Sequence, residues 1–214
     1  MDILTGSISG SIHLFRRKPN GTYAYGETLR KGFFRDLSVG RGSTACTVDW
    51  DGDGGLDLII GNGEGAVFLV PNQGTLRKPS WGSPVRLKAG GSPISADGGA
   101  ASPHMADWDG DGKSDLLLGS GSGQVVWCRN MGTKSKPELA APVTLVKALP
   151  EDERNVRSST ANPQRSGAHS KVCVVDWNGD GRPDLIVGDY AVEQVRDEFK
   201  LHGWVWVHLR GDSR

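Results

Sequence analysis

One thirteen-residue phrase, written three times, constrains this chain more than anything else in it. Asp49-Trp50-Asp51-Gly52-Asp53-Gly54-Gly55-Leu56-Asp57-Leu58-Ile59-Ile60-Gly61 returns at residues 107–119 and 176–188, with starts 58 and 69 residues apart. Asp2-Ile3-Leu4-Thr5-Gly6 repeats the tail alone, 55 residues before the tail of the first full copy. A period of this size marks one supersecondary unit that buries its apolar surface against the next copy.

The unit reads as strands. A short apolar run (45–48, 172–175) enters the Asp loop and a second (58–60, 116–118, 185–187) leaves it. A Gly-bracketed turn follows, then a β-branched and aromatic run at 12–15, 67–70, 125–128 and 205–208. Residues 84–88 and 142–146 supply a fourth, outer strand. Helical periodicity is absent from these segments, and 31 glycines in 214 residues favour tight turns over long helices. Four antiparallel strands per unit describe the blade of a β-propeller, so the expected fold class is all-β. Blades are expected at about residues 2–39 (lacking the first strand), 43–90, 100–149 and 170–210 (lacking the last).

The loop itself has the chemistry of a hard-cation site. Asp-x-[Asp/Asn]-x-Asp-Gly-x-x-Asp places oxygens at positions 1, 3, 5 and 9, with a backbone carbonyl available at 7 and a turn-permitting Gly at 6. The predicted ligands are Asp49, Asp51, Asp53, Asp57 and the Gly55 carbonyl in the first loop. The second offers Asp107, Asp109, Asp111, Asp115 and the Lys113 carbonyl, and the third Asp176, Asn178, Asp180, Asp184 and the Arg182 carbonyl. Oxygen donors without His or Cys select calcium over zinc or copper, and magnesium resists such an all-protein cage. Up to three Ca²⁺ ions are expected, with the third loop weakest because it has one carboxylate fewer. An EF-hand would place a Glu at position 12 and run on into a helix. Position 12 is Ile60, Leu118 or Val187 here, inside an apolar run.

The Asp loop, the Asp-Leu-[Ile/Leu]-x-Gly that follows it and the phrase Trp81-Gly82-Ser83-Pro84 together resemble the FG-GAP/VCBS repeat family. The resemblance covers nearly the whole chain. It implies a propeller like that of integrin α-subunits and many secreted bacterial proteins, with calcium in the turn between a blade's first two strands. The third full unit departs after its loop, where residues 189–202 replace the short Gly turn. Apolar spacing there at i, i+3 and i+7 predicts a short helical excursion. Residues 150–169 are polar and predict a long surface loop.

Other constellations carry less. Cys46, Cys128 and Cys173 form no C-x-x-C pair, and the apolar strands that hold Cys46 and Cys173 predict small buried packing residues at those two positions. Trp50, Trp108 and Trp177 at loop position 2 are expected to pack between adjacent blades. His104 shares the strand place of Cys46 and Cys173, which favours packing or a channel-lining role over catalysis. Gly119-Ser120-Gly121-Ser122-Gly123 lacks the frame of a nucleophile elbow, and Gly112-Lys113-Ser114 lacks the first Gly of a P-loop.

Charge sharpens the partner classes. The 25 basic and 25 acidic residues cancel, which argues against nucleic acid, and no apolar run is long enough for a membrane span. Eleven of those acids are Asp in the three loops, so the neutral total sums localised acidic sites and a basic remainder. The expected function is a calcium-stabilised binding module for a protein or carbohydrate ligand outside the cytoplasm, at the cell surface, in the periplasm or secreted. The alternative is a polysaccharide lyase or hydrolase on the same scaffold. Binding is favoured because no convergent catalytic set stands outside the loops. The incomplete terminal blades lead to the expectation of further blades upstream or of self-association.

Overall fold

A computed structural model describes residues 2–32, 35–148, 157–158, 167–195 and 198–211. Among them there is no helix, and therefore none long and apolar enough to cross a membrane. The first blade is β1 (Ile3–Gly6), β2 (Ile12–Phe15) and β3 (Glu27–Thr28), followed by a small ribbon of β4 (Arg30–Lys31) and β5 (Arg35–Asp36). The second is β6 (Thr44–Val48), β7 (Asp57–Gly61), β8 (Val67–Val70) and β9 (Val85–Arg86), with a ribbon of β10 (Lys88–Ala89) and β11 (Ser92–Pro93). The third is β12 (Ser102–Ala106), β13 (Asp115–Gly119), β14 (Val125–Cys128) and β15 (Val143–Val146). A two-residue β16 (Arg157–Ser158) precedes the fourth, which is β17 (Ala168–Val175), β18 (Asp184–Val195) and β19 (Glu198–His208).

The second and third blades are four-stranded antiparallel sheets in chain order, as the repeat demanded. Equivalent registers recur: Gly61 faces Val67, Gly119 faces Val125 and Gly188 faces Val205. Gly-bracketed turns make that hairpin tight, and Gly65 and Gly123 adopt φ of 89° and 83°, where a side chain would be strained. Gly121 also lies against the backbone of the preceding blade: a Cβ there would meet the Gly98 carbonyl oxygen at 2.0 Å. The Gly-Ser-Gly-Ser-Gly run is thus a packing device between blades.

Side-chain alternation sends each sheet's two faces to two neighbours. Ile12, Leu37, Leu58 and Ile60 fill the space between the first and second blades. Ile59, Val67, Leu116 and Leu118 fill that between the second and third. Leu117, Val125, Leu185 and Val187 fill the third such space. Blades touch chiefly through β1, β6, β12 and β17 and the strands beside them.

Three expectations are corrected. Residues 189–202 form no helix; most of them continue β18 and β19, which pair without a break from Leu185↔His208 to Val195↔Glu198. Extended backbone prevails there, because each residue from Leu185 to Val195 finds a cross-strand partner. Cys173 is exposed rather than buried. Trp177 is 61% exposed, whereas Trp108 is 8% exposed within the third interblade cluster and Trp50 packs on the second. Both misplaced residues lie on the far side of the fourth blade, which no further sheet among the described residues covers. The loop expected at 150–169 falls mostly outside the described residues; within it, β16 pairs parallel with β18.

Candidate functional site

The three Asp loops fold identically, and the hydrogen bonds explain why. At position 1, Asp49, Asp107 and Asp176 each accept a glycine N–H on either carboxylate oxygen; Asp176 Oδ1 also accepts the Asp180 N–H at 3.0 Å. The glycine donors are Gly52 and Gly54 (2.9 and 3.1 Å), Gly110 and Gly112 (2.9 and 2.8 Å), and Gly179 and Gly181 (2.7 and 2.9 Å). Position 3 accepts from the N–H of position 5, through Asp51, Asp109 or Asn178. Position 5 accepts from that of position 7, namely Gly55, Lys113 or Arg182. This winding needs left-handed backbone at positions 4 and 6. Both are Gly in every copy, with φ between 76° and 85°.

The consequence is a convergence of oxygens. One ligand atom from each of Asp49, Asp51 and Asp53 lies within 4.8 Å of the others, and so do those of Asp107, Asp109 and Asp111. Oxygens on opposite sides of a cation held at about 2.3–2.6 Å are separated by that order of distance. The two loops differ in how their charge is met. Arg129 pairs with Asp109 and Asp111 at 2.6 and 3.3 Å, and Lys113 with Asp111 at 2.9 Å. These cations hold the Asp111 carboxyl below its ordinary range, led by the Lys113 hydrogen bond. Asp49, Asp51 and Asp53 have no ion pair among the described residues.

The position-9 aspartates do a second job. Asp57, Asp115 and Asp184 are buried, and each carboxylate bridges two strand ends. One oxygen accepts the N–H of the loop tryptophan: Trp50 at 2.9 Å, Trp108 at 3.3 Å, Trp177 at 3.0 Å. The other accepts from Asn72, Asn130 or Arg210 at 2.6, 2.7 and 2.8 Å. Burial pushes the Asp57 and Asp115 carboxyls up, against these hydrogen bonds, and the neighbouring loop aspartates push the same way. A cation in the loop would relieve that repulsion.

Asn72 and Asn130 are site residues that loop-centred reading overlooks. Asn72 Oδ1 accepts from Gly74 and Ser80, and Asn130 Oδ1 from Gly132 and Glu138, shaping the turn beside each loop. Their signal is a second repeated phrase, Asn-x-Gly-Thr-x-x-Lys-Pro, at 72–79 and 130–137.

His104 joins two blades. Its Nε2 accepts the Val174 N–H at 3.3 Å, tying β12 to β17, and desolvation lowers its pKa.

No curated protein and no solved structure matches the chain. The FG-GAP-like repeat model matches it over residues 49–118 and again over residues 107–187. Those segments run from the first position of one Asp loop to the strand beyond the next, so the matched unit is the loop-and-blade repeat described above. The chain belongs to the family of FG-GAP-like repeat proteins.

Proposed function

We propose that the three loops bind calcium as structural ions, and that the propeller they brace is a binding module for a protein or carbohydrate outside the cytoplasm. The observation that carries the first half is the convergence of three carboxylates in 4.8 Å, built the same way in separate blades. Carboxylate oxygens at that spacing, with no nitrogen or sulfur donor, suit a hard cation. Asp49, Asp51 and Asp53 would hold the first ion, Asp107, Asp109 and Asp111 the second, and Asp176, Asn178 and Asp180 the third. The position-7 carbonyls and the position-9 aspartates stand as further candidates in each loop.

A bound divalent ion supplies positive charge at the turn between a blade's first two strands. The chain does the rest: Gly pairs wind the loop, and the position-9 carboxylate clamps the loop to the end of the third strand. Exposed loops of this kind suit the ~10⁻⁴–10⁻³ M affinities of extracellular modules, which supports a calcium-rich setting. FG-GAP-like membership supports a binding role.

Calorimetry in calcium and in chelator tests the metal. Saturating calcium is expected to raise Tm, by about 1.4 kcal/mol of stability per site at tenfold excess over Kd. Asp51→Ala and Asp109→Ala should each remove one site. Identical melting in calcium and chelator would end the proposal. Glycan and protein arrays, read with and without chelator, test the ligand class.

A further inference from the structure

Asparagine followed by glycine occurs three times in the chain, at Asn20-Gly21, Asn62-Gly63 and Asn178-Gly179. The dipeptide has its own chemistry, because glycine has no Cβ to shield a backbone nitrogen that neighbours the asparagine side-chain carbonyl. The fold decides which of the three can react.

Asn62 is locked. It is buried, its Nδ2 donates to the Val39 carbonyl at 2.9 Å, and its Oδ1 accepts from Glu64 and Ala66. The Gly63 N–H donates to the Arg41 carbonyl at 2.7 Å. Asn20 is exposed, and its Oδ1 accepts from the Thr22 N–H and hydroxyl at 3.1 and 2.7 Å. There the Gly21 N–H donates to the Lys18 carbonyl, a far weaker base than a carboxylate.

Asn178 differs from both. It and Gly179 are exposed, at positions 3 and 4 of the third loop. The Gly179 N–H donates to a carboxylate oxygen, Asp176 Oδ1, at 2.7 Å. Asn178 Oδ1 accepts the Asp180 N–H at 3.0 Å, a donor shared with Asp176 Oδ1 at 3.0 Å. The ring closed by the Asn178 bond contains both the Asn178 Cγ and the Gly179 nitrogen. Asn178 Nδ2 in turn donates to Asp180 Oδ2 at 3.0 Å. A nitrogen resting on a proton acceptor, a carbonyl oxygen on a backbone donor and a leaving nitrogen beside a carboxylate are the parts of an acyl transfer.

We propose that Asn178 is a self-modification site, converted to aspartate and isoaspartate through attack by the next peptide nitrogen. The Gly179 nitrogen bonds to Asn178 Cγ, and its proton passes to Asp176. The Asp180 N–H holds the oxygen of the tetrahedral carbon. The Cγ–Nδ2 bond then breaks, and that nitrogen takes the proton back and leaves as ammonia. One water opens the five-membered imide. Cleavage of its bond to Cγ gives aspartate; cleavage at the Asn178 main-chain carbonyl gives isoaspartate, whose backbone is longer by one carbon. The aspartate product puts at position 3 the carboxylate that Asp51 and Asp109 supply in the other loops. That consequence rests on the calcium reading, whereas the ring closure does not.

The full chain, incubated at neutral pH in chelator and heavy-oxygen water, is digested and read by mass spectrometry. Asn178 is expected to convert at least about tenfold faster than Asn20 or Asn62, each product carrying one solvent oxygen. Asp176→Asn keeps an acceptor oxygen without the base and should slow Asn178 at least about tenfold, its fold checked by circular dichroism. In denaturing urea the three rates should converge, since the fold separates them. Asn178 no faster than Asn20, a folded Asp176→Asn chain converting at the parent rate, or an order of rates that survives urea overturns the proposal. In a chain carrying Asp51→Ala and Asp109→Ala, adding Asn178→Asp should tighten calcium binding about tenfold by titration calorimetry. No gain there overturns the consequence for the loop, while the chelator experiment, which no metal enters, decides the ring closure.

Discussion

The third and fourth blades share a loop, a clamp and a register, yet one is interior and the other half surface. Val125 and Val205 each face the glycine that ends the blade's second strand; Val125 is fully buried and Val205 is 72% exposed. Trp108 and Trp177 hold the same loop position at 8% and 61% exposure. The contrast teaches that burial in this repeat belongs to the space between blades. A residue patterned for the interior is exposed where no next sheet stands beside it among the described residues.

Three measurements would break or sharpen that comparison. The largest difference is expected in thiol chemistry. Burial pushes Cys46 and Cys128 up to about 12, so their reactive thiolate is scarce at pH 8, whereas Cys173 is exposed on the bare face. Native alkylation followed by mass spectrometry should label Cys173 faster by about a thousandfold or more. Equal rates would mean that the blades open together, and protection of Cys173 would reveal a cover on the fourth blade.

Stability should separate the tryptophans next. Trp108→Ala removes a core side chain and should cost about 3–5 kcal/mol in denaturant unfolding. Trp177→Ala should stay within about 0.5 kcal/mol. A large cost at Trp177 would mean that the far face is covered in solution.

The smallest effect concerns the seam between these blades. His104 must be neutral at Nε2 to accept from Val174, and desolvation lowers its folded pKa below the unfolded 6.5. The folded state then binds fewer protons than the unfolded one as acid is added. Stability is therefore complete above pH 6.5 and declines as pH falls through that value. His104→Gln, which keeps an acceptor, should flatten the decline measured by urea unfolding between pH 7 and 5. An unchanged slope would assign it to other groups.

Much of this was legible in residues 49–61 and their copies. Asp and Gly at fixed positions dictate a wound loop, because Gly adopts positive φ cheaply and a carboxylate offers an acceptor oxygen to each of two loop amides. The clamp role of Asp57, Asp115 and Asp184 was hidden, because their partners Asn72, Asn130 and Arg210 lie 15, 15 and 26 residues away. The helical reading of 189–202 failed because its i, i+3, i+7 spacing was loose, and pairing with the partner strand outweighed it.

Local conformation and the blade repeat follow from the sequence by itself, since both rest on short-range backbone preference and side-chain period. Which patterned faces are buried was decided only in the tertiary structure. Cys46 and Cys173, Trp108 and Trp177, and Asp57 and Asp2 are matched pairs in sequence, yet they differ in exposure. The hydrophobic effect acts on surface removed from water, and what removes it here is the presence or absence of a neighbouring strand or blade.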